Sequence, residues 1–126
     1  PIINLHISLL PWNRGYHPNF WSFFDNTPSG VTIHFINKGI DTGDIIYQRE
    51  IIFNDDEDTF AKTHARLIYE IEKLFLENIE NILLHKYERI PQTEKGTYHN
   101  SFELPKSFGG WDSNIKDEIY RLKKFI

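Results

Sequence analysis

NLHISLLP, residues 4–11, is the stretch from which the architecture of this chain follows. Apolar and polar residues alternate along residues 2–9, and this period of two predicts a β-strand. Asn4 and His6 fall on the polar face, and Pro11 ends the strand because proline cannot donate a ladder hydrogen bond. That face is either an ordinary solvated side of a sheet or the lining of a pocket at the strand's carboxyl end.

The sequence on either side of this strand predicts a small α/β domain with one long helix. The elements follow from turn residues, β-branched runs and the 3.6-residue apolar spacing of amphipathic helices. They are a short helix from Pro18 to Phe24, a hairpin of strands 31–36 and 45–53, a long helix over about 59–85, a short edge strand over 87–91, and a final helix over about 112–125 capped by Asp112 or Ser113.

The length, net charge and cysteine content of the chain limit the classes of function that it can have. The length of 126 residues fits one domain, and a formal charge of −4 argues against nucleic acid as the main partner. The chain has no cysteine, which excludes disulfides, thiol catalysis and zinc–thiolate sites. No apolar stretch reaches the roughly 20 residues of a membrane span. A cytoplasmic protein with no membrane partner is therefore expected.

Three side chains have the chemistry of an acyl-transfer site. An amide such as Asn4 stabilises a developing oxyanion, and an imidazole such as His6 donates to it or moves a proton. Asp41 lies between two glycines and is either a turn aspartate bonded to its own backbone or a carboxylate held against His6. His34 is either structural or, with His6 and Asp41, part of a metal-dependent hydrolase site, although the spacing matches no recognised ligand pattern.

The loop that follows the first strand carries candidate substrate contacts. Arg14 is either an anion contact, because guanidinium matches phosphate in bidentate fashion, or a solvated loop cation. Aromatic side chains around it either stack on a ligand ring or belong to the core. The predicted substrate-binding residues are Trp12, Asn13, Arg14 and Gly15.

Four sequence motifs resemble, in their order and in their residues, those of the formyltransferase family that uses N10-formyltetrahydrofolate. They are residues 4–11, Arg14-Gly15, GVTIH at 30–34 and DTGDII at 41–46, and the resemblance covers about residues 2–53 before continuing more loosely through the long helix. It implies an α/β, partial Rossmann-like formyltransferase fold, a mixed sheet with a long packed helix, in which the N-terminal half is missing. Residues 1–86 would be the C-terminal part of the catalytic domain, and 87–126 a C-terminal extension.

The resemblance also implies a mechanism. Asn4, His6 and Asp41 would be the catalytic trio, with direct attack of an amine on the formyl carbon and no covalent enzyme intermediate. Asn4 and His6 would stabilise the oxyanion, while Asp41, with water, would help to take the amine proton. Asp41 and Gly43 would contact the folate donor, and no metal is expected.

Within the family, the sequence looks most like the enzymes that formylate nucleotide-linked amino sugars. The motifs that carry this likeness are WNRG at 12–15, PNFWSF at 18–23 and GTYH at 96–99. A methionyl-tRNA or glycinamide ribonucleotide type of formyltransferase is the alternative, and so is a non-catalytic structural or dimerisation module. We expect the 126 residues to be inactive alone, and a homodimer is one open form of assembly.

Overall fold

The computed structural model describes residues 2–54 and 58–124, which form two small sheets and three helices. The elements are β1 (Ile3–His6), β2 (Arg14–Gly15), α1 (Pro18–Phe24), β3 (Gly30–Phe35), β4 (Ile45–Glu50), α2 (Phe60–Leu83), β5 (Tyr98–His99) and α3 (Ile115–Lys123). The predicted α/β class and long helix are confirmed. Among these described residues, no helix combines the length and the apolar character needed to cross a bilayer.

The larger sheet has three antiparallel strands in the order β1-β3-β4. The predicted hairpin of β3 and β4 is therefore confirmed, and β1 pairs with the other side of β3. In this register Asn4 lies opposite His34, and His6 lies opposite Thr32. Residues opposite each other in an antiparallel pair share a face of the sheet. The polar face predicted for β1 thus continues onto β3.

Helix α2 covers the sheet and closes the main core. Thr59 caps its first turn, because the Thr59 side chain accepts a hydrogen bond from the backbone N–H of Lys62. The buried apolar residues that join the helix to the sheet are Val31, Ile33, Phe35, Ile46, Ile51, Leu67, Ile71 and Leu74. A second, aromatic-rich cluster joins the three helices and consists of Phe20, Trp21, Phe60, Ile115 and Leu122.

The last helix begins later than predicted. Its N-cap is Asn114, whose side chain accepts a hydrogen bond from the N–H of Asp117, so Asp112 and Ser113 are not the cap. The Ser113 carbonyl instead accepts a hydrogen bond from the backbone N–H of Phe60 at the start of α2. The predicted edge strand over 87–91 is reduced to one antiparallel bridge, between Ile90 and Ile45.

The smaller sheet ties the C-terminal part of the chain to the loop after β1. Strands β2 and β5 run parallel, with Arg14 opposite Tyr98 and Gly15 opposite His99. Gly15 has φ +88°, and a Cβ added there would clash with the carbonyl oxygen of His99. Only glycine suits that conformation and that close approach. Next to this pairing, the His99 ring stacks on Trp21 with ring centroids 3.7 Å apart.

We predict that Leu67→Ala lowers the free energy of unfolding by about 2–5 kcal/mol, because it leaves a cavity between α2 and the sheet. Leu67 is 1% exposed, whereas Leu76 on the same helix is 66% exposed and provides the matched control Leu76→Ala. Urea denaturation of both variants measures the difference. Equal losses for the two variants would contradict this assignment of the core.

Candidate active site

Strand register and one loop bring four polar side chains together. Asn4 and His6 come from β1, His34 comes from the facing position on β3, and Asp41 lies in the loop between β3 and β4. The His6 and His34 rings meet edge to face, with centroids 6.2 Å apart. The geometry therefore places the three predicted catalytic residues beside a fourth, His34.

The Asp41 carboxylate is the centre of this group. Its Oδ2 atom accepts a hydrogen bond from the backbone N–H of Gly15 at 2.8 Å and lies 3.6 Å from Nε2 of His6. Its Oδ1 atom lies 3.4 Å from Nε2 of His34. Only 11% of the Asp41 side chain is exposed. The carboxylate is thus in a position to orient both imidazoles.

The charge state of the site follows from burial and these contacts. Burial acts to raise the pKa of the Asp41 carboxyl, but its contacts with His34, His6 and the Gly15 N–H outweigh burial and hold that pKa below its ordinary value. For His6, burial lowers the pKa of the imidazole, and the opposing effects of Asp41 and the Asn13 carbonyl do not compensate for it. At neutral pH the site therefore pairs an ionised aspartate with a neutral His6.

The tautomer of His6 follows from its neighbours. Its Nε2 atom lies 3.0 Å from the carbonyl oxygen of Asn13 and faces the Asp41 carboxylate. Both neighbours can only accept hydrogen bonds, so Nε2 carries the proton. The other ring nitrogen, Nδ1, is then the basic atom in the neutral form.

His34 is the fourth residue of this site, and its sequence pattern fits both a structural role and a role in a metal site. It is 2% exposed, its Nδ1 lies 3.0 Å from the carbonyl oxygen of Phe35, and its Nε2 lies 3.4 Å from Oδ1 of Asp41. The signal available in the sequence was alternation: His34 follows Thr32 by two positions and therefore shares its face. Alternation alone does not show whether His34 contacts Asp41, because that contact depends on the position of the Asp41 loop.

The loop predicted to bind substrate also makes several contacts within the site. The Asn13 carbonyl holds His6, while the Asn13 side chain donates to the hydroxyl of Thr27 at 2.9 Å. Gly15 contributes its N–H to Asp41. Trp12 is half-buried, and the Arg14 guanidinium donates to the side chain of Gln92 and to a backbone carbonyl.

A cavity of about 190 Å³ opens beside the site and is lined by Asn4, His34, Asp41 and parts of the 35–42 loop. Gly43 follows that loop and lies against the backbone of Phe35. A Cβ at this position would clash with the Phe35 carbonyl, so the close approach requires glycine. A larger, mostly apolar cavity of about 480 Å³ contains none of the predicted trio. Within residues 2–54 and 58–124, no group of three or more His, Cys, Asp or Glu side chains is arranged to hold a metal ion.

Comparison with known proteins assigns the family. The family model described as formyl transferase matches residues 1–79. This chain belongs to the formyl transferase family. Among curated relatives, it is 35% identical over 117 residues to a methionyl-tRNA formyltransferase of Desulforamulus reducens, covering 91% of this chain and 37% of the relative. A methionyl-tRNA formyltransferase of Parabacteroides distasonis is 38% identical over 123 residues, with 90% and 37% covered.

Solved structures of formyl transferases share the fold. The formyltransferase PseJ of Anoxybacillus kamchatkensis, solved with UDP-4,6-dideoxy-4-formamido-L-AltNAc and tetrahydrofolate, is 47% identical with a TM-score of 0.85. The match covers 90% of this chain and 62% of that one. The N-formyltransferase of Helicobacter canadensis, solved with folinic acid and dTDP-3-aminofucose, is 27% identical with a TM-score of 0.79, covering 98% and 49%.

We predict that Asp41→Asn lowers the pKa of His6 further, because the carboxylate is the main group that raises it. At any pH near that pKa, the variant then has less protonated His6 than the wild type. NMR titration of the histidine ring nitrogens measures the shift. Asp44→Asn is the control, since Asp44 lies in the same loop and pairs with Arg89 at 3.1 Å. An unchanged or raised His6 pKa in Asp41→Asn would contradict the geometry described above.

Proposed function

We propose that the protein transfers a formyl group from N10-formyltetrahydrofolate to the amino group of a nucleotide-linked amino sugar. The observation that carries this proposal is the 47% identity, over 90% of the chain, to a formyltransferase whose crystals hold a UDP-linked formamido sugar and tetrahydrofolate. Methionyl-tRNA formyltransferases are also similar, at 35% and 38% identity. The net charge of −4 also favours a small substrate over a polyanionic tRNA.

The cavity beside the site fits one end of a formyl donor. It is small, at about 190 Å³, and brings together an amide, an imidazole and a carboxylate. Its wall from Phe35 to Thr42 includes the exposed side chains of Ile36 and Ile40, which are available to cover a flat ring. The folate donor supplies an activated formyl carbon, and the chain supplies the polar groups around it. In this proposal Asp41 and Gly43 shape the donor side of the site.

Asn4, His6 and Asp41 have different roles in the proposed transfer. The sugar amine forms a bond to the formyl carbon while the bond from that carbon to N10 of the folate breaks. The Asn4 amide lines the cavity and can donate a hydrogen bond to the carbonyl oxygen as it gains negative charge. In this proposal His6 donates to that oxygen from Nδ1 in its protonated form. Asp41, ionised at neutral pH, takes the proton lost by the amine, directly or through water, and a proton is returned to N10.

The loop of residues 12–15 and the segment of residues 96–99 border the amine side of the site in this proposal. Their parallel pairing brings Tyr98, which is 46% exposed, beside Arg14 and Gly15. An exposed aromatic ring and a cationic neighbour are the groups that bind a nucleotide sugar through stacking and phosphate contacts. Trp12 and Asn13 complete the predicted substrate loop.

We further propose that formyl transfer needs sequence beyond these 126 residues. The chain spans about 37% of the curated relatives that it matches and 62% of the A. kamchatkensis structure. On the side of β1 away from β3, no described strand pairs with it, and Ile2 and Leu5 are 68% and 37% exposed. Residues 1–86 are then the later part of the catalytic domain, and residues 87–126 its C-terminal extension.

We predict that His6→Asn lowers turnover by a factor of about 10² or more, because asparagine cannot gain or release a proton as the imidazole beside Asp41 does. The assay uses the natural full-length protein, N10-formyltetrahydrofolate and UDP-linked or dTDP-linked amino sugars, with mass spectrometry of the formamido product. The matched control is His85→Asn, in which an exposed histidine in a left-handed conformation is replaced by a residue that tolerates it.

Three outcomes of this assay would contradict the proposal. Retained turnover in His6→Asn would remove His6 from the mechanism. Formylation of methionyl-tRNA but of no amino sugar would replace the substrate class. Folate-dependent formylation by the 126-residue chain alone would refute the need for further sequence.

A further inference from the structure

Gln92 holds the loop that carries Asp41. Its side-chain Nε2 donates to the backbone carbonyl of Asp41 at 3.0 Å and to that of Gly43 at 2.7 Å. Its Oε1 accepts from Nε and Nη2 of Arg14 at 3.2 and 2.7 Å. One half-buried amide therefore links the loop after β3 to the loop after β1, from a segment C-terminal to helix α2.

The orientation of this amide is set by its partners. A guanidinium has only donors and a backbone carbonyl has only acceptors, so Oε1 must face Arg14 and Nε2 must face the Asp41 loop. All the hydrogen-bonding capacity of the Gln92 side chain is used in this arrangement. Among the other side chains, only asparagine has the same two N–H donors and the same acceptor oxygen, and its side chain is one methylene shorter.

The turn that Gln92 holds has an unusual backbone. Asp41 has φ +56°, a left-handed conformation that residues other than glycine seldom adopt. Such a residue keeps its conformation only when surrounding contacts determine it. Gln92 binds the carbonyls on either side of Thr42, and the Gly15 N–H binds the Asp41 carboxylate. Backbone and side chain of Asp41 are thus held from two different segments.

We infer that Gln92 is a positioning residue for Asp41: its two donated hydrogen bonds hold the carboxylate against His6 and His34. The groups that face this carboxylate are His6 from β1, His34 from β3, and the Gly15 N–H and Arg14 from β2. Without the two bonds to the loop, the carboxylate lies farther from both imidazoles. The consequence for turnover rests on the proposed function, whereas the consequence for His6 does not.

Two variants distinguish the hydrogen bond of Gln92 with Arg14 from its hydrogen bonds with the Asp41 loop. Gln92→Met keeps the size of the side chain and removes both the donors and the acceptor. Gln92→Glu keeps an acceptor for Arg14 and turns an oxygen towards the two loop carbonyls. Thr93→Glu is the matched control, since it adds the same charge at the next, exposed position. All three are made in the natural full-length protein, and thermal unfolding identifies the temperature range in which each is folded.

Two readouts follow, NMR titration of His6 and steady-state kinetics. In Gln92→Met we expect the His6 pKa to fall, because the carboxylate that raises it has moved away. In Gln92→Glu the added carboxylate opposes that fall, so kcat is the readout for this variant. We expect kcat to fall by about tenfold to a hundredfold, the effect of a small misplacement of a reacting group, with little change in KM. Thr93→Glu should behave as the wild type in both readouts.

The inference fails under either of two results. If Gln92→Glu matches the wild type in kcat while Gln92→Met does not, the bond to Arg14 matters and the bonds to the loop do not. If both variants only lower the unfolding temperature, Gln92 is merely structural. A wild-type protein that formylates no amine, together with a lowered His6 pKa in Gln92→Met, would refute the proposed function and support the positioning role.

Discussion

The contact of the Asp41 carboxylate with two imidazoles and one backbone N–H is the interaction on which the rest of this site depends. Burial by itself raises the pKa of the Asp41 carboxyl, and the contacts with His34, His6 and the Gly15 N–H, all within 3.6 Å, outweigh burial and hold that pKa below its ordinary value. An ionised Asp41 is what the proposed chemistry needs as a proton acceptor. It also keeps the His6 ring oriented, since both neighbours of Nε2 are acceptors.

The fold explains why these groups meet. Antiparallel pairing of β1 with β3 sets Asn4 opposite His34, and the register between β3 and β4 shifts between Ile33 and His34. The close approach of Gly43 to Phe35 returns the loop to the sheet before β4 begins. Helix α2 supplies the core beneath this arrangement, and the segment that follows α2 returns to the site through Gln92.

Much of this could be predicted from the sequence, because its signals are local. Alternation, β-branched runs and helical spacing indicated the strands, the hairpin and helix α2. The roles of Asn13, Gly15 and Gln92 could not be predicted, since they consist of backbone contacts or of pairs as distant as Arg14 and Gln92, 78 positions apart. The start of α3 was also missed, because Asp112, Ser113 and Asn114 are all good N-caps and only the docking of Ser113 onto α2 distinguishes them.

The most direct test of the central claim is a crystal structure of the natural full-length protein with tetrahydrofolate and a nucleotide-linked amino sugar. The account predicts that the sugar amine lies within about 3.2 Å of an Asp41 oxygen, or one water away from it, with Asn4 and His6 facing the formyl position. An amine placed in the apolar cavity of Phe20, Phe60 and Trp111, remote from Asp41, would contradict it.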